Sequence, residues 1–572
     1  MKENVTTCFL NTTENTKKKE KPLFGGANSQ KRVKKGTAIV IVVVSMVVGT
    51  IVGTVATVAA YSRKIDGLFS NDGFNSQKLN AIWNIVENRY VDRIESDTVM
   101  DRLYASMLNT LDPHSLYLTR KDLERENEAL RGNFEGVGIV LQVKNDTVCA
   151  SRIIEGGPSE RVGIMAGDRI LKVDGVCVSG VKMPSDSVVA RLRGRRKSVT
   201  EVEIMRISEG KPRTVKIVRD MISTPSVTYS GMIDKQTGYI RISMFGETTY
   251  DEFCKATSRL KREGMRHMVL DLRGNGGGAL SSAIGICDEL LPGREMIVYT
   301  QGAHQRRTEH RSSPGGLFCE GKLTVMIDEY SASASEIVSG AIQDNDRGKV
   351  VGRRSFGKGL VQQQFELPDN TAILLTIARY YTPSGRCIQR PYSSGTDEYY
   401  ADFARQVMDE YESAERETES GIQKAEGGDT TQYFTSKGRV VYGGGGIMPD
   451  QIIHVKTDPD IVYYNMLINR GIMNDFTLDM VSNRGVQIKK NYKNEDDFIQ
   501  RFTVDDKMLQ SLFALGERKG LPIVHTTVRK YREEIRSRIK AEIGEMLYST
   551  AAFYKITLPY DPELEEAMKT DN

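Results

Sequence analysis

The chain has 572 residues, more than one hydrophobic core usually organises, so several domains are expected. A hydrophobic fraction of 39% and a charged fraction of 27% exclude a mostly disordered protein. The formal charge of +4 is local: residues 1–36 carry nine Lys/Arg against three Asp/Glu, and residues 37–572 sum to −2. The body is therefore no basic nucleic-acid binder.

After the basic tail, Thr37–Tyr61 is a charge-free run of 25 residues dense in Val, Ile and Ala. At 1.5 Å per residue it crosses a hydrocarbon core of about 30 Å. The flanking Lys/Arg imbalance keeps the N-terminus in the cytoplasm, placing residues 62–572 in the periplasm or exterior of a cell inner membrane. A signal peptide cut after Val58-Ala59-Ala60 is the competing reading, disfavoured because the apolar run is long. Six cysteines would be exported, and nothing in their spacing selects among 15 pairings. The six histidines are scattered without metal-ligand spacing.

Residues 76–130 are expected to be helical. Leu79, Ile82, Trp83, Val86 and Tyr90, then Met100, Leu103, Tyr104, Met107, Leu108 and Leu111, recur at helical steps. Asp112-Pro113-His114-Ser115 breaks that pattern as a structural turn. From residue 131 to 222 short strands alternate with Gly-containing turns, beginning with an alternating run Phe134–Val143. Glu135-Gly136-Val137-Gly138-Ile139, Gly157-Pro158, Ala166-Gly167-Asp168-Arg169 and Val173-Asp174-Gly175 together resemble a PDZ domain. Glycines there let successive N–H groups of Gly136, Val137, Gly138 and Ile139 turn toward a carboxylate.

Residues 223–395 alternate strand and helix, the pattern of an α/β layer. The strands are Gly238–Met244, His267–Leu272, Lys322–Ile327, Lys349–Gly352, Leu360–Leu367 and Ala372–Tyr380. The helices are Thr248–Glu263, Ala279–Leu291 and Ser333–Gln343. Residues 396–455 read as an acidic helix and a Gly/Thr-rich linker returning to the core. Residues 456–572 are helical, with an apolar stripe Tyr531, Ile535, Ile539, Ile543 and Leu547 that reads as a core face.

Two segments imitate nucleotide motifs. Gly274-Asn275-Gly276-Gly277-Gly278-Ala279 fits G-x-G-x-x-A, but the strand Met296–Thr300 ends without the required acid. Gly352 to Lys358 fits a P-loop only as far as its lysine, since Gly359 replaces the Mg²⁺-binding hydroxyl and a strand follows. A third segment, Ser331-Ala332-Ser333-Ala334-Ser335-Glu336, joins a buried strand to a helix. Its serines suit helix capping, and equally a nucleophile exposed on a strand-to-helix corner. Residue chemistry alone does not choose among the three.

The ordered set Leu270-Asp271-Leu272-Arg273, Asn275, Gly277-Gly278, Ser331 to Ile337, Ser355-Phe356-Gly357-Lys358-Gly359, Val361-Gln362 and Leu375 to Arg386 is similar to the carboxy-terminal processing peptidases. These tail-specific serine peptidases pair a serine with a lysine and carry an embedded PDZ domain. The resemblance spans about residues 80–450, with Gly276 where the family usually has proline. It implies a crotonase-like or ClpP-like α/β protease core with an inserted PDZ domain. It also implies Ser333 as nucleophile, Lys358 as general base, Gln362 as its orienting partner, and the N–H groups of Ala334 and Gly277 as oxyanion hole. Protein substrates would be held by their C-termini; no metal or organic cofactor is implied, and a homo-oligomer is left open. A non-catalytic PDZ adaptor, membrane-anchored and binding C-termini, is the rival function.

Overall fold

The computed structural model describes residues 74–413, 431–454, 458 and 460–569. The expected basic tail, the anchor 37–61 and its alternative cleavage point lie outside the described residues. Among the described residues no helix is long and apolar enough to cross a membrane.

The chain divides into two compact units between Ser96 and Asp97, a boundary that falls inside the expected helical region 76–130. In the first unit the described helix is Phe74–Arg89. Leu79 and Ile82 of its apolar stripe are not buried within this unit. The second unit, from Asp97, holds all but the first residue of helix Ser96–Asn109, then the turn at Asp112 to Ser115, strand Leu116–Leu118 and helix Arg120–Arg131, which Thr119 caps.

A six-stranded sheet forms the centre, in the order Val227–Met232, Thr237–Ile242, His267–Asp271, Lys322–Ile327, Lys349–Gly352 and Gln451–Ile452. All neighbours are parallel except the first pair. Successive side chains of a strand point to opposite faces, and here both faces are apolar. Ile240, Leu270, Val325 and Val350 pack with helices Thr249–Arg262, Leu280–Leu290 and Ala334–Asp344. Tyr239, Val269, Met326 and Val351 turn the other way, onto Leu558, Leu564 and Ala567. The C-terminal residues are thus the third layer of this core. Each such side chain, fully buried, stabilises by about 1.5–3 kcal/mol.

A second sheet is built around Ala372–Tyr381. It pairs with Leu360–Glu366 along one edge, and with Leu116–Leu118 and Met296–Gln301 along the other.

The expected strand Phe134–Val143 is split. Gly138 has φ +75°, which breaks it into Asn133–Gly136, paired with Asp220–Ser223, and Ile139–Lys144, paired with Thr147–Ile153. The strand Thr147–Ile153 divides its side chains as the pleat demands. Val148 and Ala150 enter this module's own core, while Cys149 joins the core of the C-terminal helices. Ion pairs Lys144–Asp479 (2.6 Å) and Arg152–Glu545 (2.7 Å) line the same contact. Ile535, Ile539 and Ile543 of the predicted stripe are fully buried in that helical core. All six described cysteines are free thiols.

Candidate active site

The adjacent parallel strands His267–Asp271 and Lys322–Ile327 run in register, so their C-terminal loops open side by side, where α/β sheets usually place a site. Hydrogen bonds cross-tie the two loops. Ser331 Oγ donates to Leu272 O (2.8 Å), Ala332 N to Asn275 O (3.0 Å) and Ser335 Oγ to the same oxygen (2.8 Å). Ser331 and Ser335 are fully buried, their hydroxyls committed to these carbonyls. Ser333 differs. It is half-buried and stands at φ +54°, ψ −111°, a backbone region that costs a side-chain-bearing residue about 1–3 kcal/mol. The next residue, Ala334, opens helix Ala334–Asp344 and presents one of the N–H groups a helix start leaves without an intrahelical partner.

Gly277 lies against this corner at φ +103°. A Cβ there would stand 2.7 Å from Ser333 Cβ and 2.8 Å from Ala332 O. Its N–H donates to Asn275 Oδ1 at 2.9 Å, so of the two expected oxyanion donors this one is engaged. At Gly276 an added Cβ would meet nothing within 4 Å, so the site has room where the family's proline is missing.

Lys358 is brought to the same corner by two groups that sequence reading passed over. Glu336, fully buried, accepts at one oxygen from Ser333 N (2.8 Å) and Lys358 N (2.9 Å). Its other oxygen accepts from Ser355 Oγ (2.6 Å) and Gly357 N (2.7 Å). Burial pushes this carboxyl above its usual range, with the four donors pulling the other way. On the carbonyl side, Tyr380 Oη lies 2.7 Å from Lys358 O and 3.1 Å from Ser333 O. Burial keeps that phenol protonated, hence a donor. Nucleophile and base candidates are therefore pinned together by both their amides and their carbonyls. In the sequence both stood only as parts of motifs, Glu336 in Ser331 to Ile337 and Tyr380 in Leu375 to Arg386.

The Lys358 amine donates to Gln362 Oε1 at 2.6 Å. A straight strand would separate residues 358 and 362 by about 13 Å. The strand begins only at Leu360, however, and a β-bulge lies between Val361 and Gln362, which re-aims the glutamine. Burial holds the amine below the ordinary lysine range, opposed by Glu126, Asp112 and Glu336. Gln362 Nε2 in turn donates to the carbonyl of His114. His114 belongs to the Asp112–Ser115 turn, which the sequence marked as structural only.

Behind the glycine loop, the fully buried Asp271 accepts from Arg241 Nη1 (2.5 Å) and Arg273 Nη2 (2.8 Å). Burial alone would raise its pKa; Arg273 and Arg241 outweigh it and hold the carboxyl below the usual range. Arg273 also reaches Asp561 (2.6 Å) and Glu563 (2.9 Å). Gly136, Val137, Gly138 and Ile139 lie in the separate strand-rich module. There the carbonyl of Val137 accepts from Ser159 and that of Gly138 from Ile154, so these carbonyls face inward.

A strained serine on a strand-to-helix corner, whose backbone shares one buried carboxylate with the backbone of Lys358, is a geometry compatible with a serine peptidase. The profile of peptidase family S41 matches residues 236–397, and that of the PDZ domain residues 128–205. A family of unknown function matches residues 463–549. A carboxy-terminal-processing protease of Bartonella bacilliformis is 36% identical over 313 residues, 54% of this chain and 71% of that one. A probable CtpA-like serine protease of Staphylococcus aureus is 33% identical, covering 60% and 70%. Among solved structures, the photosystem II D1 C-terminal processing protease is 28% identical over 53% of this chain and 87% of that one (TM-score 0.30). The PDZ domain of a Vibrio cholerae carboxy-terminal protease, in complex with peptide, is 32% identical over 16% and 97% (TM-score 0.15). The chain belongs to the carboxy-terminal-processing proteases of peptidase family S41. It is a serine peptidase with a PDZ domain, and the purely non-catalytic adaptor reading falls.

Proposed function

We propose that Ser333 is the nucleophile and Lys358 the general base of a peptidase that cuts protein chains near their C-termini. Neutral Lys358 takes the Ser333 proton as Oγ bonds to the scissile carbonyl carbon. The resulting ammonium then gives that proton to the leaving amine as the C–N bond breaks, and water later releases the acyl group. Keeping an ordinary lysine neutral near pH 7.5 costs roughly 4 kcal/mol, and enclosure of the amine lowers that cost. The Ala334 N–H stabilises the oxyanion, and the Gly277 N–H joins it once released from Asn275; each donor contributes about 3 kcal/mol. Gln362 holds the amine. The observation that carries this reading is the shared anchorage of Ser333 and Lys358 on Glu336 and Tyr380, with Ser331 and Ser335 both committed elsewhere.

Gly136, Val137, Gly138 and Ile139 offer their N–H groups to the free carboxylate of the substrate, and the edge strand Ile139–Lys144 pairs with its last residues. Residues 37–61 anchor the chain in the inner membrane with the catalytic portion in the periplasm or exterior.

The test is cleavage of an unfolded protein ending in apolar residues by the full chain, beside Ser333→Ala, Lys358→Ala and Lys358→Arg. All three variants fold and lose at least about a thousandfold in rate, arginine included because it supplies no neutral base. Undiminished cutting by any of them strikes out that residue's role. The rate of the unmodified enzyme rises with pH through a single group below the ordinary lysine value of about 10.4, since only the neutral amine accepts a proton. A profile flat from pH 6 to 9 contradicts Lys358 as base.

A further inference from the structure

Gln362 poses a problem that its side chain alone does not solve. An amide has an accepting end and a donating end of nearly the same shape. With Oε1 toward Lys358, the amine keeps its lone pair for the serine proton and the later ammonium is stabilised. With the amide reversed, Nε2–H would donate into that lone pair and would repel the ammonium. Something must forbid the reversal.

The only protein group that meets Gln362 Nε2 among the described residues is the carbonyl of His114, 248 residues away in the chain. A carbonyl can only accept. If the amide turned over, two oxygens would face each other. The His114 carbonyl is itself held in place. Asp112 Oδ1 accepts from His114 N (2.8 Å) and Ser115 N (2.9 Å), and Asp112 Oδ2 accepts from Ser115 Oγ (2.6 Å). Thr376 ties the turn to the strand beside Gln362: its Oγ1 donates to Asp112 Oδ1 and its N–H to Ser115 Oγ, each at 3.1 Å. Thr376 is the register partner of Gln362 itself, next to the bulge. The His114 ring, hydrogen-bonded to Tyr399 Oη at 3.0 Å, closes the other side. Asp112, His114 and Ser115 are all buried.

We propose that the Asp112–Ser115 turn is a positioning element for the general base: its His114 carbonyl fixes which end of the Gln362 amide meets Lys358. The inference rests on the assignment of Lys358 as base and Gln362 as its partner. None of the turn's residues is a catalytic residue; the turn acts through Gln362.

The experiment is a double-mutant cycle in the full chain, reading kcat, KM and thermal midpoint on a peptide ending in apolar residues. Asp112→Ala lowers kcat about ten- to a hundredfold with KM unchanged. Asp112→Asn, which keeps an acceptor for both N–H groups, recovers most of the rate. In a Gln362→Ala background, Asp112→Ala costs no further kcat, because there is no amide left to orient. Should Asp112→Ala fail to fold, Ser115→Ala enters the same cycle, with a drop of about threefold expected. Full kcat in Asp112→Ala beside an impaired Gln362→Ala overturns the inference and leaves the dyad standing. An equal loss in both backgrounds also overturns it, marking the turn as purely structural. Full activity in both Gln362→Ala and Lys358→Ala removes the base assignment and this inference with it.

Discussion

Two corners meet at the edge of the central sheet, and they handle the same steric problem in opposite ways. At the end of His267–Asp271 the chain takes left-handed backbone angles at Gly277 and Gly278, where no side chain is present to object. At the end of the neighbouring strand it takes φ +54° at Ser333, where a side chain is present and glycine would be the cheaper residue. The strain persists because Glu336 and Tyr380 hold the backbone there from both sides. One corner yields space, and the other spends stability to present an atom.

The largest break in that contrast is Gly277→Ala. The new Cβ would collide with Ser333 Cβ and Ala332 O at a backbone angle that alanine resists. Activity should fall about a hundredfold through loss of an oxyanion donor, and stability by about 1–3 kcal/mol; steady-state kinetics with urea unfolding measures both. Unaltered kinetics would remove Gly277 from the site. Ser333→Gly tests the other corner. Relief of backbone strain, less the entropy glycine adds to the unfolded chain, predicts about 1 kcal/mol of added stability with activity abolished. Ser333→Ala, equally inactive, should gain none of this, so a matched unfolding midpoint in the two variants would deny the strain. The smallest effect belongs to Ser335→Ala. It removes one hydroxyl bond to Asn275 O, which Ala332 N still satisfies, for about 1 kcal/mol of stability and little change in rate. A large loss of activity there would reopen the choice among the three serines.

Much of the core was readable because its punctuation is chemical. Lys322–Ile327 and Lys349–Gly352 fall where an apolar run between charged or glycine residues put them, and the helix after Ser333 begins one residue later than expected. The strand Phe134–Val143 was misread because alternation continues through Gly138 while the backbone does not. The hairpin Gln432–Phe434 with Val440–Tyr442 hid in a stretch whose glycines suggested only a linker. Ser333, Lys358 and Gln362 came from motif order, whereas the groups that join them did not. Glu336 reaches Lys358 across 22 residues, and His114 reaches Gln362 across 248. Periodicity reports on one element at a time, so bonds between distant loops leave no trace in it. The apolar stripe near Leu79 shows the converse: a clear helical pattern is no guarantee of burial within the element's own unit.

The tie from Arg273 to Asp561 and Glu563 gives synthesis an order. The arginine beside the glycine loop emerges from the ribosome 288 residues before Asp561. Until those acids arrive, the sheet lacks its third layer and the guanidinium lacks two of its three carboxylate partners. A growing polypeptide therefore completes this sheet only after the segment that carries Asp561 and Glu563 has been made, however early its strands are synthesised.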